Sequence, residues 1–407
     1  MRRAAYLAVA ATVLAAQDFS QRGFLEFRGV GFPQAAHNDR SHAVAAVLLR
    51  YEATYRVGGW RLAGGLDART DTHHETERRW ALSLLDRERQ RPSFAVRRAS
   101  VAYERPGLTV ELGKQFVRWG KTDIVNPTDR FAPRDYLAVV DTDFLAVPAV
   151  RVAAGAQSDT VELVWAPLFT PSRIPLLNQR WTPVAASPVP AELRERPPRW
   201  PRRPQFGARW NHVGRGWEGS LSLYEGYHHL PAFQGQALAR APVLRAELEP
   251  VYPRLRMYGA DAALPAGPVT LKAEAAWLRS PRNQADEYLL YVVQAERQAG
   301  DWFLVGGYAG YRNTRLGPLP LFAADRGLAR AFLGRAGYTI DARRSVAFEG
   351  AVRRNGDGLW AKFEYSQSFG RHWRATGAFT LIRGSPLDFL GRYRRNSHVL
   401  LVVRYSF

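Results

Sequence analysis

From Val47 to Val57 apolar and polar side chains trade places at nearly every residue. Val47, Leu49, Tyr51, Ala53, Tyr55 and Val57 share one face of an extended chain, and Arg50, Glu52, Thr54 and Arg56 share the other. A period of two is the signature of a β-strand with unlike faces. Gly58-Gly59 then marks a tight turn. Beyond it, Leu62, Gly64, Leu66 and Ala68 oppose Arg61, Asp67 and Arg69. The pattern returns far along the chain. Val269, Leu271, Ala273, Ala275 and Trp277 oppose Thr270, Lys272 and Glu274, and Leu359, Ala361, Phe363 and Tyr365 oppose Lys362, Glu364, Ser366 and Ser368.

A soluble sandwich alternates too, with its polar face outward. Three features favour a transmembrane antiparallel β-barrel. The strands approach the ~10 residues that a tilted membrane strand needs. Aromatic residues gather near strand ends, at Tyr51, Tyr55, Trp60, Trp217, Trp277, Trp302, Trp360 and Trp373, as interfacial girdles do. Connections alternate between short ones, such as 105–107, 214–216 and 299–301, and long ones, such as 70–92, 119–146, 166–204, 228–250 and 384–396. The count that follows is about 18 strands, with 16 as the alternative, short periplasmic turns and longer extracellular loops. Mean hydropathy is −0.30 and no long apolar run follows residue 16, which excludes a helical membrane protein but not a barrel.

The start of the chain reads as an export signal over residues 1–16: Arg2 and Arg3 precede a short apolar run from Ala4 to Ala16. Residues 17–407 are expected to form a single barrel in the bacterial outer membrane. Cysteine is absent, which excludes disulfides and thiolate chemistry. Val399, Leu401, Val403, Tyr405 and Phe407 alternate along the last strand. Tyr405 and Phe407 match the signal that outer-membrane proteins present to the barrel-assembly machinery.

The formal charge is +20, and lysine occurs only at 114, 121, 272 and 362, so nearly all the positive charge is arginine. It is spread through strands rather than gathered on a recognition helix, which argues against nucleic acid as a partner. The alternation turns Arg50, Glu52, Arg56, Arg61, Arg254, Arg256, Lys272, Glu274, Lys362 and Glu364 toward the lumen. Cations outnumber carboxylates on these faces, so a mild preference for anions is expected. P-loop, HExxH and GxSxG motifs are absent, and no enzyme activity, metal or cofactor is expected. The pairs His73-His74 and His228-His229 lack a third ligand at a usable spacing.

The densest cluster of charge runs from Arg118 to Asp135. Arg118, Lys121, Arg130 and Arg134 accompany Asp123, Asp129 and Asp135, with Trp119 and Phe131 among them. Asn126-Pro127-Thr128-Asp129 has the form of a helix start, with Asn126 as cap. A loop over 119–146 with a short helical turn, folded against the inner wall, would brace the barrel or set its selectivity. The 166–204 connection is rich in proline and arginine. As an extended extracellular loop it would offer Arg194, Arg196, Arg199, Arg202 and Arg203 to lipopolysaccharide phosphates.

The Trp119–Asp129 run, following the strand that ends Gly113-Lys114-Gln115, resembles a W-G-x-x-D-x-x-N-P-x-D motif of uncharacterised porin-like outer-membrane barrels of Gram-negative bacteria. The segment Val164–Pro175 is similar to theirs as well. The resemblance implies a barrel in the outer membrane and says little about the solute. Two functions remain. One is a channel for small polar solutes. The other is a closed, binding or structural barrel, such as an adhesin or assembly partner, embedded in lipid and lipopolysaccharide.

Overall fold

The computed structural model of the protein describes residues 18–182, 191–240, 243–319 and 321–407; the proposed export signal lies outside them. Eighteen antiparallel strands form one sheet. In chain order they are β1 (Phe19–Gly31), β2 (Ala43–Val57), β3 (Trp60–Asp71), β4 (Phe94–Arg105), β5 (Leu108–Gln115), β6 (Val147–Ala156), β7 (Asp159–Ala166), β8 (Gln205–Gly214), β9 (Trp217–Tyr227), β10 (Arg254–Ala266), β11 (Val269–Arg279), β12 (Glu287–Ala299), β13 (Trp302–Arg315), β14 (Ala331–Thr339), β15 (Arg344–Arg353), β16 (Gly358–Phe369), β17 (Trp373–Gly384) and β18 (His398–Ser406). Each pairs with its sequence neighbour, and a two-residue parallel addition at Leu82–Ser83 joins β4. The barrel closes where β1 meets β18, with Gly31 opposite Val399 and Phe24 opposite Ser406. Closure removes both free edges, so every strand has a hydrogen-bonded neighbour on each side.

Alternation dictates what each surface presents. Leu49, Leu62, Leu112, Leu221, Val293, Phe332, Phe363 and Leu401 all point outward and are exposed. Leaving such side chains in water forgoes roughly 1.5–3 kcal/mol each, so this band requires an apolar solvent. Trp60, Trp217, Trp302 and Trp373 each open a strand just after a short turn and form one aromatic girdle. Phe206, Tyr258 and Trp277 lie toward the opposite rim. Short turns need the left-handed backbone, which Gly58 (φ +56°) and Gly107 (φ +74°) supply. Trp360 departs from the expectation of a girdle residue. It sits on the inward face of β16, 4% exposed.

The hydrophobic core lies inside the barrel, between the wall and loops folded into it. Trp119, Phe131, Trp181, Tyr224, Met257, Leu278, Leu290, Trp360 and Tyr393 belong to one buried cluster. At this level, inward wall positions are therefore apolar, contrary to the polar-inside rule for a water-filled lumen. The phase of β10 follows: Leu255 and Met257 are buried, while Arg254 and Arg256 face outward, not into the lumen as expected. A register shift opposite Gly65/Leu66 lets the consecutive residues Arg97 and Arg98 of β4 both reach inward carboxylates.

The 166–204 connection does not remain extended outside. Phe169, Arg173, Ile174 and Trp181 are buried. Farther on, the proline-free window between Pro190 and Pro197 forms a strand, Ala191–Glu195, parallel to Val243–Val251 of a hairpin whose other arm is Ala232–Arg240.

Candidate constriction inside the barrel

The segment between β5 and β6, residues 116–146, crosses the lumen and is anchored by a carboxylate on the far wall. Glu274 of β11 is 1% exposed. Its Oε2 accepts hydrogen bonds from Lys121 N (2.8 Å), Thr122 N (3.0 Å) and Thr122 Oγ1 (2.8 Å). Its Oε1 accepts from Thr128 N (2.7 Å) and Thr128 Oγ1 (2.8 Å). Neutral donors satisfy this buried charge, and the two limbs of the loop are clamped by one side chain.

Lys121 reaches past it, its Nζ 3.0 Å from Glu218 and 3.2 Å from Asp261. Asp123 meets Gln294 through both its backbone N–H and its carboxylate, with Lys272 4.0 Å away.

Residues 126–129 form a turn and no helix. Asn126 does not cap its own backbone. Its Nδ2 donates to Thr122 O, and its Oδ1 accepts from Arg134 Nη2 at 2.8 Å. Asp129 reaches back instead: Oδ1 accepts from Trp119 N and Gly120 N, both at 2.6 Å, with Arg118 Nε 3.6 Å from Oδ2. Pro133 and the charged pairs that follow carry the chain away before a helical turn can propagate.

The Trp119 indole donates to Glu162 Oε1 (2.7 Å) and packs edge-on against Phe131, which packs edge-on against Tyr224. Gly207 of β8 leaves room for these rings; a Cβ there would overlap both Phe131 and Trp119.

Ion pairs tie the loop to its neighbours. Arg130 is 2.9 Å from Asp325 in the 316–330 connection. Asp135 lies 2.8 Å from Arg91 and 3.4 Å from Arg173, and Arg173 continues to Asp86 at 2.6 Å. Burial pushes the Asp135 carboxyl up, but the two guanidinium groups outweigh it and hold it well below the usual carboxylate range. Arg118 and Arg134 both stack on Phe144, 4.0 and 4.2 Å from the ring centroid. His229 bridges two inward-folded segments, its ring nitrogens 2.6 Å from Thr170 O and 2.8 Å from Arg130 O. Burial outweighs the two carbonyls, which favour the protonated ring, and pulls its pKa down to about 4, so the neutral ring donates to one of the two oxygens.

The wall residues singled out from alternation divide. Arg50 pairs with Asp67 (2.7 Å) and lies 3.3 Å from Asp143 of the loop; Arg61 pairs with Glu104 (2.6 Å). Glu52 pairs with Arg22 at 2.6 Å, Lys272 with Glu296, and Lys362 lies 3.3 Å from Glu364 on the same strand. Arg56 is exposed near the short-turn rim. Tyr405 packs at a tilt against Trp373, and Phe407 exchanges both backbone hydrogen bonds with Gly23, at 2.9 and 3.0 Å, across the closure seam.

Between the loop and the β15–β16 wall lies a cavity of about 300 Å³. Asp123, Asn126, Arg134, Asp141, Glu349 and Lys362 contribute polar groups, and Trp360 lines the wall. Asp141 is already held by Arg28 at 2.8 Å. Arg134 has no carboxylate partner among the described residues and takes a neutral one in Asn126.

No family model matches the sequence, and no curated protein matches it. Its barrel is similar to that of OccAB4 from Acinetobacter baumannii (TM-score 0.57, 7% identity, 96% of this chain and 98% of that one). It is also similar to a BenF-like porin from Pseudomonas fluorescens Pf-5 (TM-score 0.54, 8% identity, 96% and 97%). At these identities the likeness establishes the fold, an 18-strand antiparallel barrel of the porin type.

Proposed function

We propose that the chain is an outer-membrane channel through which small polar solutes diffuse passively, with a mild preference for anions. The observation that carries this reading is the polar cavity between the inward-folded loop and the β15–β16 wall, inside a closed barrel whose outer face is apolar. The porin-type fold and the resemblance of the Trp119–Asp129 run to porin-like barrels point the same way. The expected preference is mild because the charges largely cancel. Asp123, Asp129, Asp141 and Asp325 face Lys272, Arg118, Arg28 and Arg130, which leaves Glu349 near Lys362 and Arg134 at the cavity. A strong filter needs an unopposed ring of one sign.

Planar-bilayer recording of the purified barrel tests the reading. Steady open-pore steps, with a reversal potential displaced toward chloride in a KCl gradient, are expected. A folded, inserted barrel that passes no current would establish the closed or structural alternative instead. That alternative draws on the same loops, since three long connections enter the lumen and are tied by buried ion pairs.

A further inference from the structure

The outward face of the barrel at its long-loop rim carries arginines that the channel does not use. Arg203, Arg254, Arg256 and Arg279 line an open groove of about 500 Å³, with Glu225 as the carboxylate among its lining residues. Arg256 of β10 and Arg279 of β11 stand directly opposite each other in the β10–β11 register, and both are exposed. Like charges at directly opposed sheet positions repel and destabilise the pair. Glu225 pairs with Arg256 at 2.8 Å, and Glu287 lies 3.5 Å from Arg279. Arg203 and Arg254 have no ion pair among the described residues. Positive charge is thus left in excess at this rim, where four arginines stand beside two carboxylates.

What lies beside the groove indicates what would balance that excess. Tyr258 is two residues along β10 from Arg256 and is paired in register with Trp277, which is two residues from Arg279. Phe206, 52% exposed, is opposite Glu225 in the β8–β9 register. The arginines therefore stand about 7 Å beyond an aromatic belt, and the apolar band begins on the other side of it, with Leu221 and Leu223 exposed. Arg279 stacks on Trp277, 4.8 Å from the ring centroid, so its fork is held at this level. A ligand matched to this surface has anionic oxygens at the arginines and hydrocarbon below the belt.

We propose that this groove binds the phosphorylated head group of lipopolysaccharide, with its phosphates between Arg256 and Arg279 and its acyl chains along β8–β10. Guanidinium groups hold phosphate bidentately, and a phosphate between two opposed arginines removes their repulsion. The inference rests on the outer-membrane reading, which places the long-loop rim in the outer leaflet, and is independent of whether the lumen conducts.

The test is binding of a diphosphorylated deep-rough lipopolysaccharide to the full-length barrel, delipidated in detergent. Loss of about tenfold or more in affinity is expected for the Arg256→Gln, Arg279→Gln double variant, with the heat-modifiable gel shift unchanged. Arg279→Glu serves as a second variant. It sets opposite charges across β10–β11, its folding is read by the same heat-modifiable gel shift, and it should bind at least as poorly. The same lipid stripped of its phosphates should bind the wild-type protein weakly, and inorganic phosphate should compete only at far higher concentration. Wild-type affinity in both variants, equal affinity for the stripped lipid, or phosphate binding as tightly as the lipid would each overturn the proposal. Conductance of the same variants, measured separately, reports only on the channel.

Discussion

Thr128 gives both its backbone N–H and its hydroxyl to one oxygen of Glu274, across 146 residues of chain. The other oxygen takes three donors from Lys121 and Thr122. Glu274→Ala strands these donors in a buried site, at several kcal/mol in total. The loop should loosen, and single-channel current noise and thermal lability should both rise. Glu274→Gln keeps one acceptor oxygen but turns an amide toward the donors of one limb, so it should fall between. Wild-type noise and melting in Glu274→Ala would show that other contacts hold the loop.

Asp129 offers a second, independent anchor. Were it only a cap on its own turn, Asp129→Ala would cost about 1 kcal/mol. It instead collects the N–H groups of Trp119 and Gly120 while its side chain is 2% exposed. Hydrogen bonds to a buried charge are worth more, so a loss of about 3 kcal/mol or greater is expected in denaturant titration. Adding Asp123→Ala, which releases Gln294 and Lys272, should increase conductance fluctuation further. Unchanged stability and conductance in the double variant would remove both residues from the loop's support.

The barrel itself could be read from alternation because each strand's two faces meet different solvents. What alternation could not foresee is the filling of the lumen. Where the 116–146 and 166–204 connections pack against the wall, Leu255, Met257, Leu278 and Leu290 replace polar residues on the inward face. That reverses the apparent phase of β10, so alternation alone points Arg254 and Arg256 into the lumen. Trp360 reads as a girdle residue for a related reason, since an aromatic near a strand end serves either surface. The density of charge from Arg118 to Asp135 did mark the loop, and Glu274 was legible as an inward residue. Their union was not, because no local periodicity links residues 128 and 274.

Stability should depend on pH through His228, which is 4% exposed. Burial pulls its pKa from 6.5 to about 3. The unfolded chain then binds a proton more readily than the folded one, so stability falls as pH drops from about 6.5 toward 3. Carboxylates such as Asp135, held low by Arg91 and Arg173, add their loss only below about pH 4. Urea midpoints measured between pH 7 and 4.5 should therefore decline in the wild type and decline less in His228→Gln. Parallel slopes would show that His228 stays solvated or finds an acceptor.

Lys362 tests the throat without touching the loop's anchors. It lines the cavity on β16, its nearest carboxylate partner is Glu364 on its own strand at 3.3 Å, and it donates nothing to residues 116–146 among the described contacts. Lys362→Glu changes the local charge by two units where Asp123 and Glu349 already stand. Interaction inside a partly enclosed cavity is screened less than on an open surface, where charges fade over ~8 Å at physiological ionic strength. The reversal potential in a KCl gradient should therefore move from slightly chloride-selective to cation-selective, while unitary conductance changes less than about twofold. Arg56→Glu, at the exposed short-turn rim, supplies the control and should shift the potential little. If Lys362→Glu keeps the wild-type reversal potential in a conducting barrel, ions do not pass between Lys362 and the loop, and the throat must lie along another wall.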